Sequence, residues 1–146
     1  ANAAAIRGLD WGMYNYATLL ALGEGVDQDR AAALAWLRKA AAAGNAKAIN
    51  FIGSFYEDGW VVQRNMAAAA SHYRQAAEGG DFRGRFNHAR MLIDAGDIAA
   101  AIRWLRRLPE TATPPFLGKV GQWLRATANP ALAAIAVELD RAAGAD

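Results

Sequence analysis

The chain of 146 residues contains no cysteine, which removes disulfides, thiolate nucleophiles and cysteine-ligated metals and leaves both redox compartments open. Val, Ile and Thr never cluster into short alternating runs, so no strand is expected. No window holds the roughly 18 consecutive apolar residues of a membrane span, and the alanine-rich start lacks the basic-then-apolar order of a signal peptide. Direct membrane insertion is therefore not expected. Charge of one sign is also missing: 16 basic residues stand against 14 acidic ones, a net +2, far from the basic excess of nucleic-acid binding. The chain begins with Ala1 rather than Met, so an upstream piece is expected to have been removed.

Catalytic equipment is scarce too. Glu57 and Asp58 are adjacent and so point different ways on a helix. The stretch GEGVDQD at 23–29 lacks the lysine and serine of a phosphate loop. The two histidines, His72 and His88, have no second ligand within a helical turn and fall where aromatic packing residues stand elsewhere in the chain, so no metal site is expected. No catalytic residue and no cofactor is assigned, and the chain is read as a non-enzyme.

What is present is a repeat. The stretch AINFIGSFYEDGWVVQRNMAAAASHYRQAAEGGD lies without a gap over GMYNYATLLALGEGVDQDRAAALAWLRKAAAAGN. Ala17 pairs with Gly53, Gly23 with Gly59, Val26 with Val62 and Gly44 with Gly80, each 36 apart. Such a period decides the architecture before local reading begins. Gly8, Gly44 and Gly80 are expected to close alanine-rich helices. Asp29, Asn65 and Asp97 are expected to cap the second helices by accepting from an orphan backbone N–H. Ala17, Gly53 and Ala89 keep the first helices small in the middle, and Ala33, Ala69 and Ala101 do so in the second, allowing close approach. Leu20, Tyr56, Leu92, Trp36, Tyr73, Trp104 and Leu105 fill the space around them.

The expected organisation is one helical-repeat domain over residues 1–146. Residues 1–8 form the end of a preceding unit, 9–44 and 45–80 two full repeats, 81–108 a repeat whose inter-helix loop has lost four residues, and 109–146 an eroded repeat or cap. In that last part Gly121 takes the small position and Asn129-Pro130 starts the final helix. The eroded end is expected to unravel first.

The run GEGVDQD followed by AAALAWLRKAAAAGN resembles a Sel-one-like repeat (SLR), a relative of the tetratricopeptide repeat. The second unit resembles it through Gly53, Tyr56, Gly59, Val62 and the ending Ala76, Ala77, Gly80. Trp60 departs from the small or polar residue usual there, and the third unit lacks the Gly-x-Gly-Val loop. The resemblance implies an all-α fold, an alpha-alpha superhelix built as a right-handed solenoid of antiparallel helix pairs. It also implies a scaffold or adaptor in protein complexes, often in bacterial signalling, envelope or secretion pathways. Some cysteine-rich relatives bind beta-lactam-like ligands, but their helix-bridging cysteines are absent here.

In stacked hairpins the first helices line the concave groove. Counting six before, three before and one after each small residue selects Trp11, Tyr14 and Thr18, then Lys47, Asn50 and Ser54, then Arg83, Phe86 and Arg90. Asn15 and Asn87 border the groove, and Glu57, Asp58 and Asp94 lie at its far end. Aromatics mixed with Lys47, Arg83 and Arg90 suit an acidic or carboxylate-bearing peptide with an apolar anchor. Residues 81–108 hold six arginines against three acids; Arg106 and Arg107 are read as complements to a helix C-terminus. Trp60 is either a plug on the core or an exposed anchor, the plug being favoured. Three readings stay open: a peptide or protein adaptor, an assembly module that self-associates through the N-terminal end at residues 1–9, and a small-ligand or glycan-binding module. Cytoplasm and periplasm both remain possible.

Overall fold

A computed structural model describes residues 3–144, with side chains from residue 8 onward. Among these residues there are eight α-helices, one 3-10 turn and no strand. The helices are α1 (Ala3–Leu22), α2 (Arg30–Ala42), α3 (Ala46–Asp58), α4 (Met66–Glu78), α5 (Phe82–Asp94), α6 (Ile98–Leu105), α7 (Pro114–Ala126) and α8 (Pro130–Ala142), with the 3-10 turn at Leu108–Glu110 before α7. Each odd-numbered helix pairs with the next to make four consecutive hairpins. The chain divides into two compact units, Ala1–Gly79 and Gly80–Asp146.

The helices start where a short acceptor side chain stands. Asp29, Asn65 and Asp97 accept from the N–H groups of Ala32, Ala68 and Ala100. Asn45 and Asp81 do the same for α3 and α5, and Asn129 with Pro130 opens α8. Each such cap is typically worth about 1 kcal/mol. The four-residue deletion in the third unit is absorbed without loss of this geometry. The cap N–H groups of Asp29 and Asn65 bond the carbonyls of Leu20 and Tyr56 at 2.8 and 3.0 Å, and Asp97 bonds Leu92 at 2.9 Å across the shorter loop. Leu20, Tyr56 and Leu92 are equivalent positions, so both loop lengths close onto the same turn of the first helix.

Gly44 and Gly80 sit at φ +91 and +90 just past α2 and α4, as expected. Gly8 differs, because α1 runs through it. The physical reason is one residue further on. Gly44 and Gly80 precede Asn45 and Asp81, which cap the following helix, whereas Gly8 precedes Leu9, which offers no acceptor. Without a cap to reward a new start, continuing the helix costs less than interrupting it. Residues 3–7 of the expected stub thus belong to the backbone of α1, and their side chains lie outside the described residues.

In unit 1 the core joins Ala17, Leu20, Leu34, Leu37, Ala48, Ile52 and Phe55, all buried. The small positions are small for contact reasons: a Cβ on Gly53 would lie 2.7 Å from the Tyr73 ring and 3.3 Å from the Ala69 carbonyl. In unit 2 the core runs through Ala89, Ala101, Leu105, Leu108, Leu117, Leu124, Leu132 and Leu139. Fully burying each leucine contributes about 1.5–3 kcal/mol. The segment expected to be eroded therefore supplies much of unit 2's core. Gly121 is a tight spot as predicted, since a Cβ there would meet Asp140 at 3.1 Å.

Candidate functional site

The first helices carry the side chains singled out by the repeat count, and each unit presents its own set. On α1, Trp11 is exposed and meets Tyr14 edge-on at a centroid distance of 5.9 Å. Asn15 beside them is exposed. Thr18 is half-buried, and its hydroxyl donates to the Tyr14 carbonyl at 3.0 Å, so it serves the helix backbone. On α3, Lys47 and Ser54 are half-buried. Ser54 Oγ lies 3.3 Å from Tyr73 Oη, which donates in turn to Glu57 Oε1 at 2.5 Å. Asn50 departs from expectation: it is buried, with 8% of its surface exposed. The repeat register was read correctly there. Counting along one helix cannot register how much of a face its neighbours cover.

On α5, Arg83 is exposed, and its guanidinium lies 5.1 Å from the Phe82 ring and 5.7 Å from that of Phe116. Phe86 is half-buried and packs edge-on against Phe116 at 5.9 Å and Trp123 at 5.3 Å. Asn87 Oδ1 accepts from both Nε and Nη2 of Arg90, at 3.2 and 3.0 Å. Phe116 and Trp123, on α7, were not among the residues selected from sequence. They flank Lys119, which is exposed, at spacings of three and four that share a helix face. Their signal was hidden because the count from Gly121 lands on Pro115, Gly118 and Gln122, one residue out of phase with the aromatics.

Unit 2 also sorts its charges. Asp81 and Asp97 cap helices. Glu110 pairs with Arg85 at 3.0 Å and Arg107 at 3.5 Å, Glu138 pairs with Arg106 at 3.2 Å, and Asp140 pairs with Arg125. Arg83 and Lys119 have no carboxylate partner among the described residues. Arg106 and Arg107 stand at the C-terminal end of α6, and each finds a carboxylate there as well. Arg106 reaches across to Glu138 on α8, and Arg107 lies 4.9 Å over the Trp104 ring. A carboxylate within reach attracts a guanidinium more strongly than the partial charge of a helix end.

Trp60 acts as a plug. It is half-buried on the unit 1 core, edge-on to Phe55 at 5.6 Å, and capped by the Arg30 guanidinium 3.8 Å from its ring centroid. With one face on the core and the other under a cation, it is no exposed anchor. His72 Nδ1 donates to the Ala68 carbonyl, 2.8 Å away, and its ring packs on Tyr56, while His88 packs against Trp104. Both are packing residues. Among the described residues no group of three or more His, Asp or Glu could hold a metal ion, and no helix is long and apolar enough to cross a membrane.

Comparison with known proteins places this geometry. The Sel1 repeat pattern matches residues 12–45, 46–81 and 91–108, together more than half of the chain. A solved Sel1 repeat protein from Oxalobacter formigenes is similar over 79% of this chain and 49% of its own, with a TM-score of 0.67 and 26% identity. A protective antigen present in uropathogenic Escherichia coli strains, which displays an SLR fold, is similar over 97% of this chain and 31% of its own, with a TM-score of 0.69 and 28% identity. The chain thus spans half or less of the length of these structures. Its fold is all-α, of the alpha-alpha superhelix class. With the hairpin cores, the cap positions and the loop glycines all in the register of the repeat, the chain belongs to the Sel1 repeat family.

Proposed function

We propose that this chain is a non-catalytic adaptor that binds an acidic or carboxylate-bearing peptide segment of a partner protein on its first helices. Sel1 repeat proteins are generally protein-interaction scaffolds, and their fold is typically non-catalytic. The observation that carries the finer reading is the surface of unit 2. Phe86, Phe116 and Trp123 form a continuous aromatic seam between α5 and α7, and the exposed cations Arg83 and Lys119 stand on the same two helices. Aromatic rings offer large contact area at low entropic cost, and cations without a carboxylate partner favour a ligand that brings its own. Trp11, Tyr14 and Asn15 offer a second such surface on α1 of unit 1. Lys47, Asn50, Ser54, Asn87 and Arg90 lie in the same register on α3 and α5, half-buried apart from Asn50, which is buried.

The test is selection of a random peptide library displayed on phage against the full chain. Peptides rich in Asp and Glu, with an adjacent aliphatic or aromatic residue, should be enriched. Their binding should weaken at least about tenfold, about 1.4 kcal/mol, in Arg83→Glu or Lys119→Glu. It should weaken similarly in Trp123→Ala. Absence of acidic enrichment, or peptides that bind Arg83→Glu and Lys119→Glu as well as the parent, would sink the proposal.

A further inference from the structure

The rings on the unit 2 surface stand in single file. Phe82 meets Phe116 at a centroid distance of 4.9 Å, Phe116 meets Phe86 at 5.9 Å and Phe86 meets Trp123 at 5.3 Å, with interplanar angles of 67°, 84° and 90°. All four are half-buried, so each keeps part of its surface in water. The two rings on α7, Phe116 and Trp123, are seven residues apart, which is two turns and a rise of about 10.5 Å. Lys119 stands between them on the same helix face. Arg83 stands at the Phe82 end of the file, its guanidinium 5.1 Å from that ring and 5.7 Å from Phe116. Along its length the surface therefore alternates cation, ring, cation, ring.

From this order we infer that the partner segment is a polyproline II stretch carrying two apolar anchors three residues apart, with one acidic residue between them and a second just outside the anchor that meets Phe116. The inference rests on the peptide-binding reading above and adds the ligand's conformation and spacing. Polyproline II advances about 3.1 Å per residue with three residues per turn, so residues three apart share one side and lie about 9.3 Å from each other. That is close to the rise from Phe116 to Trp123. A β-strand returns to one side every second residue, at about 6.8 Å and then about 13.6 Å, and straddles the distance. An α-helix matches the rise with anchors seven apart, but it is about 10 Å wide, broader than a file of single rings. Polyproline II is narrow and preordered, and for that reason docks readily on aromatic side chains. Its intervening residues project to the flank, where Lys119 takes the inner carboxylate and Arg83 the outer one.

Fluorescein-labelled synthetic peptides of one composition, titrated with the full chain and read by anisotropy, test this. In the first, Asp-Leu-Glu-Pro-Leu in a Gly-Ser frame, the leucines stand three apart; in two shuffled peptides they stand two and seven apart. The first should bind at least about tenfold more tightly than either shuffle. Replacing its Glu by Gln should weaken binding to the parent chain and to Arg83→Ala, and change nothing in Lys119→Ala. Replacing its Asp by Asn should show the opposite dependence. Both cations are exposed, so these variants should keep the circular dichroism of the parent. Equal or tighter binding of the two-spaced or seven-spaced peptide overturns the inference, as does a Glu whose loss is felt alike in Arg83→Ala and Lys119→Ala. If all three peptides bind alike and lose affinity in Arg83→Glu and Lys119→Glu, the acidic-peptide reading stands and the spacing alone falls. If none binds, the reading beneath it falls too.

Discussion

Val61 shows how much one backbone angle matters in a repeat. It sits at φ +66, the position at which Gly25 of the preceding repeat has φ +75. The loop geometry demands a left-handed residue there, and a β-branched side chain meets that demand at a cost of roughly 1–2 kcal/mol. Its side chain is mostly exposed, so little burial offsets the strain. Val61→Gly should therefore raise stability by about 1 kcal/mol despite glycine's greater freedom in the unfolded chain, read as a higher urea midpoint at unchanged slope; a lower midpoint would contradict it. The need for a left-handed residue was legible at Gly25 and invisible at Val61, because valine carries no sign of the conformation imposed on it. Trp60, next to Val61, illustrates the same limit. Its role as a plug rests on Arg30, 30 residues away in sequence.

Among the elements, α5 holds the clearest contrast between charges that look alike in sequence. Arg85 is buried, with 8% of its side chain exposed, and donates to Glu110 and to the Arg107 carbonyl, tying α5 to the 3-10 turn. Arg106 and Glu138 are exposed at 59% and 47%. Exposed pairs contribute about 0–1 kcal/mol because water and salt compete. Removing a buried, bonded side chain loses its packing and its hydrogen bond to the Arg107 carbonyl, whereas Glu110 keeps water and Arg107. Arg85→Ala should destabilise by about 2–3 kcal/mol, and Arg106→Ala by less than about 1 kcal/mol. Denaturant melts of the two variants decide this, and equal losses would show the burial argument to be wrong. Helix starts were easier to foresee, since a cap depends on one side chain and an N–H two or three residues away. Asp29, Asn65, Asp97 and Asn129 were all read from sequence for that reason.

Across the molecule, packing redistributes the stability anticipated from repeat quality. The most faithful repeat signature, GEGVDQD, lies within the long exposed stretch from Leu22 to Ala31, and the degraded C-terminal hairpin carries Leu117, Val120, Leu124, Leu132, Ile135 and Leu139 in the core of unit 2. Hydrogen exchange should accordingly be fastest at residues 23–29 and slow across α7 and α8, because local opening follows exposure and core contact. Rapid exchange over residues 114–142 would restore the original expectation of an unravelling end. The period of 36, the helix pairs, the small positions and the caps were all encoded locally: each depends on residues a few places apart and recurs, so comparing one repeat with the next exposes it. The burial of Asn50, the seam of Phe86 with Phe116 and Trp123, and the pairing of Arg106 with Glu138 depend on which helices come together. The same register is core or surface according to whether another helix lies on it.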